Sequence, residues 1–144
     1  MKKSLLVLFT VLLQACSPSL KPINYGIDKC DFCRMTIVDP QFAAELVTDK
    51  GKVYKFDAVE CMIQYRKSAT EQHFALLLVN DYLQEGTLQA AEACTYLISP
   101  RLPSPMGANL SAFSDPGSAE EYRQQKDGTL YSWEALLAHF DEKR

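Results

Sequence analysis

The chain is short of several things that would assign it to common classes. Its N-terminal apolar run, residues 5–13 (LLVLFTVLL), has nine residues, whereas a membrane-spanning helix needs about 20. Positive charge is modest, with 15 Lys and Arg against 18 Asp and Glu and no basic stripe. Phosphate backbones are bound by basic surfaces, so nucleic acid is excluded as a partner. Histidine is scarce: His73 stands in an apolar stretch and His139 near the C-terminus. No nucleophile–histidine arrangement, acid–base pair or phosphate loop is present, and the chain reads as a binding protein rather than an enzyme. Disorder is excluded in turn, because 47% hydrophobic and 23% charged residues are ordinary for a folded domain.

The N-terminus follows an export pattern. Lys2 and Lys3 precede the apolar run, and Leu13-Gln14-Ala15-Cys16 follows it. A positive start, a short apolar stretch and a small residue before the cut describe a secretory signal. Leu-x-Ala-Cys at the cut is similar to the lipobox of bacterial lipoproteins, in which the cysteine is acylated and becomes the first mature residue. Residues 1–15 are therefore read as a signal peptide, with Cys16 as the lipidation site and the folded part in the cell envelope. Ser17 after the cysteine permits passage to the outer membrane, facing the periplasm, in a Gram-negative cell. Residues 16–29 read as anchor and tether, with two prolines, a glycine and no periodicity. The mature chain has 129 residues and a net charge of −5, enough for one ordinary domain or two small ones.

Residues 30–80 read as a first β-β-α-β unit. Residues 42–48 form a strand, 49–52 a hairpin turn and 53–56 the returning strand. Asp57 then caps a helix with Glu60 at the capping-box position, and Ala58, Cys61, Met62 and Tyr65 line one helical face. Residues 73–79 make a buried strand. Residues 81–144 read as a second unit. It holds a helical turn at 88–93, a strand at 95–98 and a loop at 99–105, where three prolines forbid a sheet interior. Strands follow at 110–113 and 129–131, with an inserted helix at 118–126 capped by Ser118. Ser132 caps a last helix, whose Trp133, Leu136, Leu137 and Phe140 repeat the spacing of the first. This last helix aligns with the first, Asp57 facing Ser132, and Met35 and Met106 then head the two halves. The fold class is α+β, two small repeated β-β-α(-β) units with a proline-rich connecting loop.

Chemistry concentrates at Cys30-x-x-Cys33-x-Met35. Thiolate and thioether are soft donors that favour Cu(I) over hard cations. If residues 33–35 are extended, Cys33 and Met35 project to one side and can share an ion. Met106, delivered by the proline-rich loop, is the third candidate ligand, and Cys30 a fourth. Two other readings stand beside this one. Cys30 and Cys33 could form a thiol–disulfide redox pair, although a loose segment precedes them and β-prone residues follow, unlike the strand-to-helix setting of such pairs. Cys30, Cys33 and Cys61 could hold a structural zinc. Cys61 itself reads as a core thiol on its helical face, and Cys94 as core or as a disulfide partner of Cys61.

At these residues the chain resembles the NosL family, lipoproteins accessory to nitrous oxide reductase. The resemblance rests on the lipobox with Cys16, on Cys30-Asp31-Phe32-Cys33-Arg34-Met35, on Gly51-Lys52-Val53-Tyr54-Lys55-Phe56-Asp57-Ala58, and on Ser104-Pro105-Met106-Gly107 with Phe113 beyond. It implies a Cu(I)-binding chaperone that delivers copper to the copper–sulfide cluster of nitrous oxide reductase. It implies Cys33, Met35 and Met106 as copper ligands. The family motif is Cys-x-Met, often with Gly where Arg34 stands here. Cys30 is an addition that some relatives share, and its role as ligand, redox partner or neither stays open.

Overall fold

A computed structural model describes residues 17–142; the expected signal segment and Cys16 lie outside the described residues. Seven strands and three helices follow in the order β1 (Ala44–Thr48), β2 (Val53–Phe56), α1 (Val59–Ser68), β3 (Phe74–Asn80), β4 (Leu88–Ala90), β5 (Thr95–Ile98), β6 (Leu110–Phe113), α2 (Pro116–Lys126), β7 (Thr129–Tyr131) and α3 (Trp133–Glu142). They form two antiparallel sheets, ordered β2-β1-β3-β4 and β6-β5-β7. Among the described residues no helix is long and apolar enough to cross a membrane.

The α+β architecture of two similar units holds, but the units correspond differently from the sequence alignment. In each sheet the first strand is central, the second pairs on one side, a helix crosses over, and the next strand pairs on the other side. Thus β5-β6-α2-β7 repeats β1-β2-α1-β3. The helix expected as an insertion, α2, is the counterpart of α1, and α3 is the addition. β6 and β7 do not pair, because β5 lies between them. Met35 precedes β1 whereas Met106 lies between β5 and β6, so the two methionines are not equivalent positions.

Period-2 alternation explains how the second sheet packs on both faces. Tyr96, Leu110 and Ala112 enter the main core with Phe56, Met62, Trp133 and Leu136. Leu97 and Phe113 point the other way, onto Ala119 and Tyr122 of α2. The main core joins residues of both sheets, so neither unit closes its apolar face alone.

Two helix starts differ from expectation. α1 has Ala58 at its N-cap and no side-chain cap. Asp57 is buried and Glu60 is turned to another partner, because the first turn of α1 is enclosed and its side chains are used in tertiary contacts. α2 starts two residues early: the Asp115 carboxylate accepts from the Ser118 N–H at 2.7 Å and Pro116 takes the first turn, the arrangement Asp and Pro favour. Ser132 caps α3 as expected, accepting from the Ala135 N–H at 3.2 Å. Residues 88–93, expected as a helical turn, divide into β4 and a 3-10 turn at Ala91–Ala93.

From Lys21 onward the segment before Cys30 is held to the body. The Lys21 N–H donates to Glu45 at 2.8 Å, the Lys55 ammonium donates to Pro22 O and to Asp28, and the Asn80 side chain donates to the Tyr25 hydroxyl. Glu45 is fully buried on β1, and its second carboxylate oxygen has no partner among the described residues. Burial raises its pKa above the ordinary carboxylate value, against the opposing Lys21 N–H and the Lys55 charge. The folded state therefore binds this proton more tightly than the unfolded chain. The stability Glu45 contributes is full at acid pH and is lost as pH rises from about 4.3 through the folded pKa. Glu45→Gln is expected to be more stable than the parent at pH 7 and equal to it in acid, as denaturant midpoints across that range would report.

Candidate metal centre

Three segments distant in sequence converge at the start of α1. The first is the turn carrying the cysteine motif. Its ends are tied by the Cys30 N–H to Met35 O at 2.8 Å and the Arg34 N–H to Cys30 O at 3.0 Å. Asp31 docks the turn on the outer edge of β2: its N–H donates to Lys55 O and its carboxylate accepts from the Lys55 N–H, both at 2.8 Å. The second segment is the first turn of α1, with Glu60 and Cys61. The third is the proline-rich loop. Ser104 Oγ donates to the Glu60 carboxylate at 2.6 Å and the Ala108 N–H donates to the same oxygen at 3.3 Å. These two bonds bracket Met106, which sits in a turn closed by the Gly107 N–H to Ser104 O.

Residues 33–35 are not extended. Arg34 has φ +67°, the left-handed region that a side chain enters at a cost of about 1–2 kcal/mol. The shared-face argument for Cys33 and Met35 therefore fails, since alternation holds only along an extended strand. The left-handed residue instead folds the turn back so that backbone N–H groups point at sulfur. The Cys33 N–H donates to Cys30 Sγ at 3.4 Å, the N–H groups of Asp57 and Phe32 donate to the same sulfur, and the Met35 N–H donates to Cys33 Sγ. Such donors hold a sulfur in place and stabilise negative charge on it.

Cys61 is the residue that the sequence reading placed in the core and that the structure brings into the centre. The sulfurs of Cys30, Cys33 and Cys61 lie within 4.8 Å of one another. All are free thiols, as is Cys94, so Cys61 and Cys94 are not bonded to each other. The Cys61 thiol donates to Cys30; that bond first, then the three N–H donors, lower the Cys30 pKa to about 5 against the effect of burial. Donation to Cys30 and burial push Cys61 up, and burial pushes Cys33 up. A soft cation bound among these sulfurs would displace thiol protons. Cys94 takes no part in this cluster; burial raises it to about 11.

The two methionines face outward. Met35 is 51% exposed and Met106 40%, and Phe32 of the same turn is 42% exposed. Methionine is ordinarily a buried, gap-filling residue, so two exposed thioethers on segments that meet one helix start call for a role.

The sequence profile of the NosL family matches residues 25–139, most of the chain and all three converging segments. The chain belongs to the NosL family. The chain also shares its fold with a solved structure, the copper chaperone NosL from Shewanella denitrificans. The two superpose with a TM-score of 0.69 at 20% identity, over 81% of this chain and 93% of the other. No curated protein matches it significantly in sequence. Within this NosL chain the left-handed turn position is filled by Arg34, at a conformation that Gly adopts without strain. The helical periodicity of α1 marked Cys61 as inward-facing, and the alternative zinc reading, which grouped it with Cys30 and Cys33, was the one signal pointing to the cluster.

Proposed function

We propose that this chain is an extracytoplasmic Cu(I) chaperone, held to the envelope by a lipid on Cys16, that passes copper to nitrous oxide reductase. The observation that carries the reading is an all-sulfur centre in a NosL-family chain: a partly buried Cys33 among thiols, with two exposed thioethers on the segments that meet there. Soft sulfur donors retain Cu(I) and discriminate against hard cations. Cys33 anchors the ion, and Met35 and Met106 are the donors on the open side. A carrier needs such accessible, few-coordinate donors, because an incoming ligand from the recipient can join before the outgoing one leaves. The lipobox supports the anchored, envelope-facing location, and the copper-chaperone neighbour supports the cargo.

The test is an anaerobic Cu(I) titration of the reduced chain in detergent against a competing chelator, with Zn(II) in parallel. Tight Cu(I) binding without comparable zinc binding is expected. Zinc bound in preference would favour the structural reading that Cys30, Cys33 and Cys61 also fit in donor type, although zinc sites normally take a fourth ligand. Met35→Leu combined with Met106→Leu is expected to weaken Cu(I) binding about tenfold, roughly 1.4 kcal/mol, with the fold intact. Parental affinity would remove the methionines from the reading. For the recipient, cells lacking the chain are expected to make nitrous oxide reductase without its copper–sulfide cluster; a fully loaded reductase would point to another acceptor.

A further inference from the structure

Cys30 and Cys61 are the thiols that the outward-facing donors leave unused. Both are buried, at 0% and 1% exposure, yet they are not arranged as inert core thiols. Their sulfurs and that of Cys33 form a single cluster within 4.8 Å, without a nitrogen or carboxylate oxygen among its members. We propose that Cys30, Cys33 and Cys61 form an inner three-coordinate Cu(I) position that shares Cys33 with the outer donors Met35 and Met106. The proposal rests on the copper reading above and adds a second place for the same ion.

Three observations support it. A trigonal ion with metal–sulfur bonds of about 2.3 Å needs sulfurs roughly 4 Å apart, which the cluster reaches within its 4.8 Å limit by small side-chain rotations. Three sulfurs with no fourth donor match a soft monovalent ion better than zinc, which is held by four ligands in structural sites. Backbone N–H groups of Asp57, Phe32 and Cys33 surround Cys30, and that of Met35 reaches Cys33. These are outer-shell contacts that orient metal-bound sulfur. Cys33 stands at the border between the buried pair and the exposed methionines. Copper can therefore pass from one set to the other by exchanging partners around a ligand it never leaves. The inner set adds donors that keep the ion, and the outer set lies on the side where it enters and leaves.

The experiment uses the reduced full chain in detergent micelles, labelled with 13C at the cysteine β-carbons, with one equivalent of Cu(I) added anaerobically. The Cβ resonances of Cys30, Cys33 and Cys61 are expected to move together while that of Cys94 stays. Movement of Cys33 alone would overturn the inner position. In parallel, Cys61→Ser and Cys61→Ala are compared with Cys94→Ser by chelator competition, with circular dichroism confirming the fold. The Cys61 variants are expected to lose about tenfold or more in Cu(I) affinity, and Cys94→Ser none. Cys61 variants with parental affinity would overturn the proposal and leave the copper reading intact. A parent chain that holds no Cu(I) against the chelator would defeat the copper reading itself. Should the Cys61 variants fail to fold, the resonances of the unmutated chain decide.

Discussion

Cys33→Ser is expected to lower Cu(I) affinity by about 100-fold or more, the upper end of what loss of an outer-shell contact alone produces. Its effect should exceed that of any other single substitution in the centre. Cys33 is the one donor common to both proposed sets: its sulfur belongs to the cluster with Cys30 and Cys61, and it lies two residues from the exposed Met35. A hydroxyl is a hard donor that a soft ion does not favour, and the change in side-chain volume is small. The fold is expected to survive, because Cys33 is only partly buried and the turn is held by backbone bonds and Asp31. Chelator competition with circular dichroism as a control checks both halves of this expectation. Affinity within threefold of the parent would show that the ion is not anchored at Cys33.

Glu60→Ala is expected to weaken both the fold and the binding of copper. Glu60 is buried, and one carboxylate oxygen accepts from Ser104 and from Ala108 on either side of Met106. Alanine leaves the Ser104 hydroxyl and the Ala108 N–H without this acceptor, at a cost of about 1–3 kcal/mol. It also releases the loop that carries Met106. Denaturant unfolding should report the loss of stability, and Cu(I) affinity should fall in the same direction as in the double methionine variant. Glu60→Gln keeps an acceptor in place and is expected to restore the affinity, which separates loop positioning from general destabilisation. Parental affinity in Glu60→Ala would show that the tie to the loop has no part in copper binding.

Much of the local structure was legible in the residues. The limits of β2, β5, β6 and β7 coincide with the alternating segments read from the chain, and the hairpin before β2 turns at Gly51, with φ +77°. Gly128, just before β7, lies so close to Ile98 that a Cβ there would strike its carbonyl oxygen. Where the reading departed, a distant partner had claimed a side chain. Glu60 fits a capping box by spacing, but Ser104 and Ala108 hold it instead. Cys61 fits a core face by periodicity, and the core it faces contains Cys30 and Cys33.

By itself the sequence determined the short-range features: strand and helix periods, turns, the soft-donor motif at residues 30–35 and the NosL resemblance. Each is written in neighbouring residues, because backbone preferences and side-chain alternation act over a few positions. Only the tertiary structure decided that β5 separates β6 from β7, that Arg34 bends the motif out of the extended form, and that Cys61 joins Cys30 and Cys33. Periodicity tells which side of an element faces inward. What waits there is set by packing between segments far apart in the chain, and in this protein that packing assembles the three-cysteine cluster.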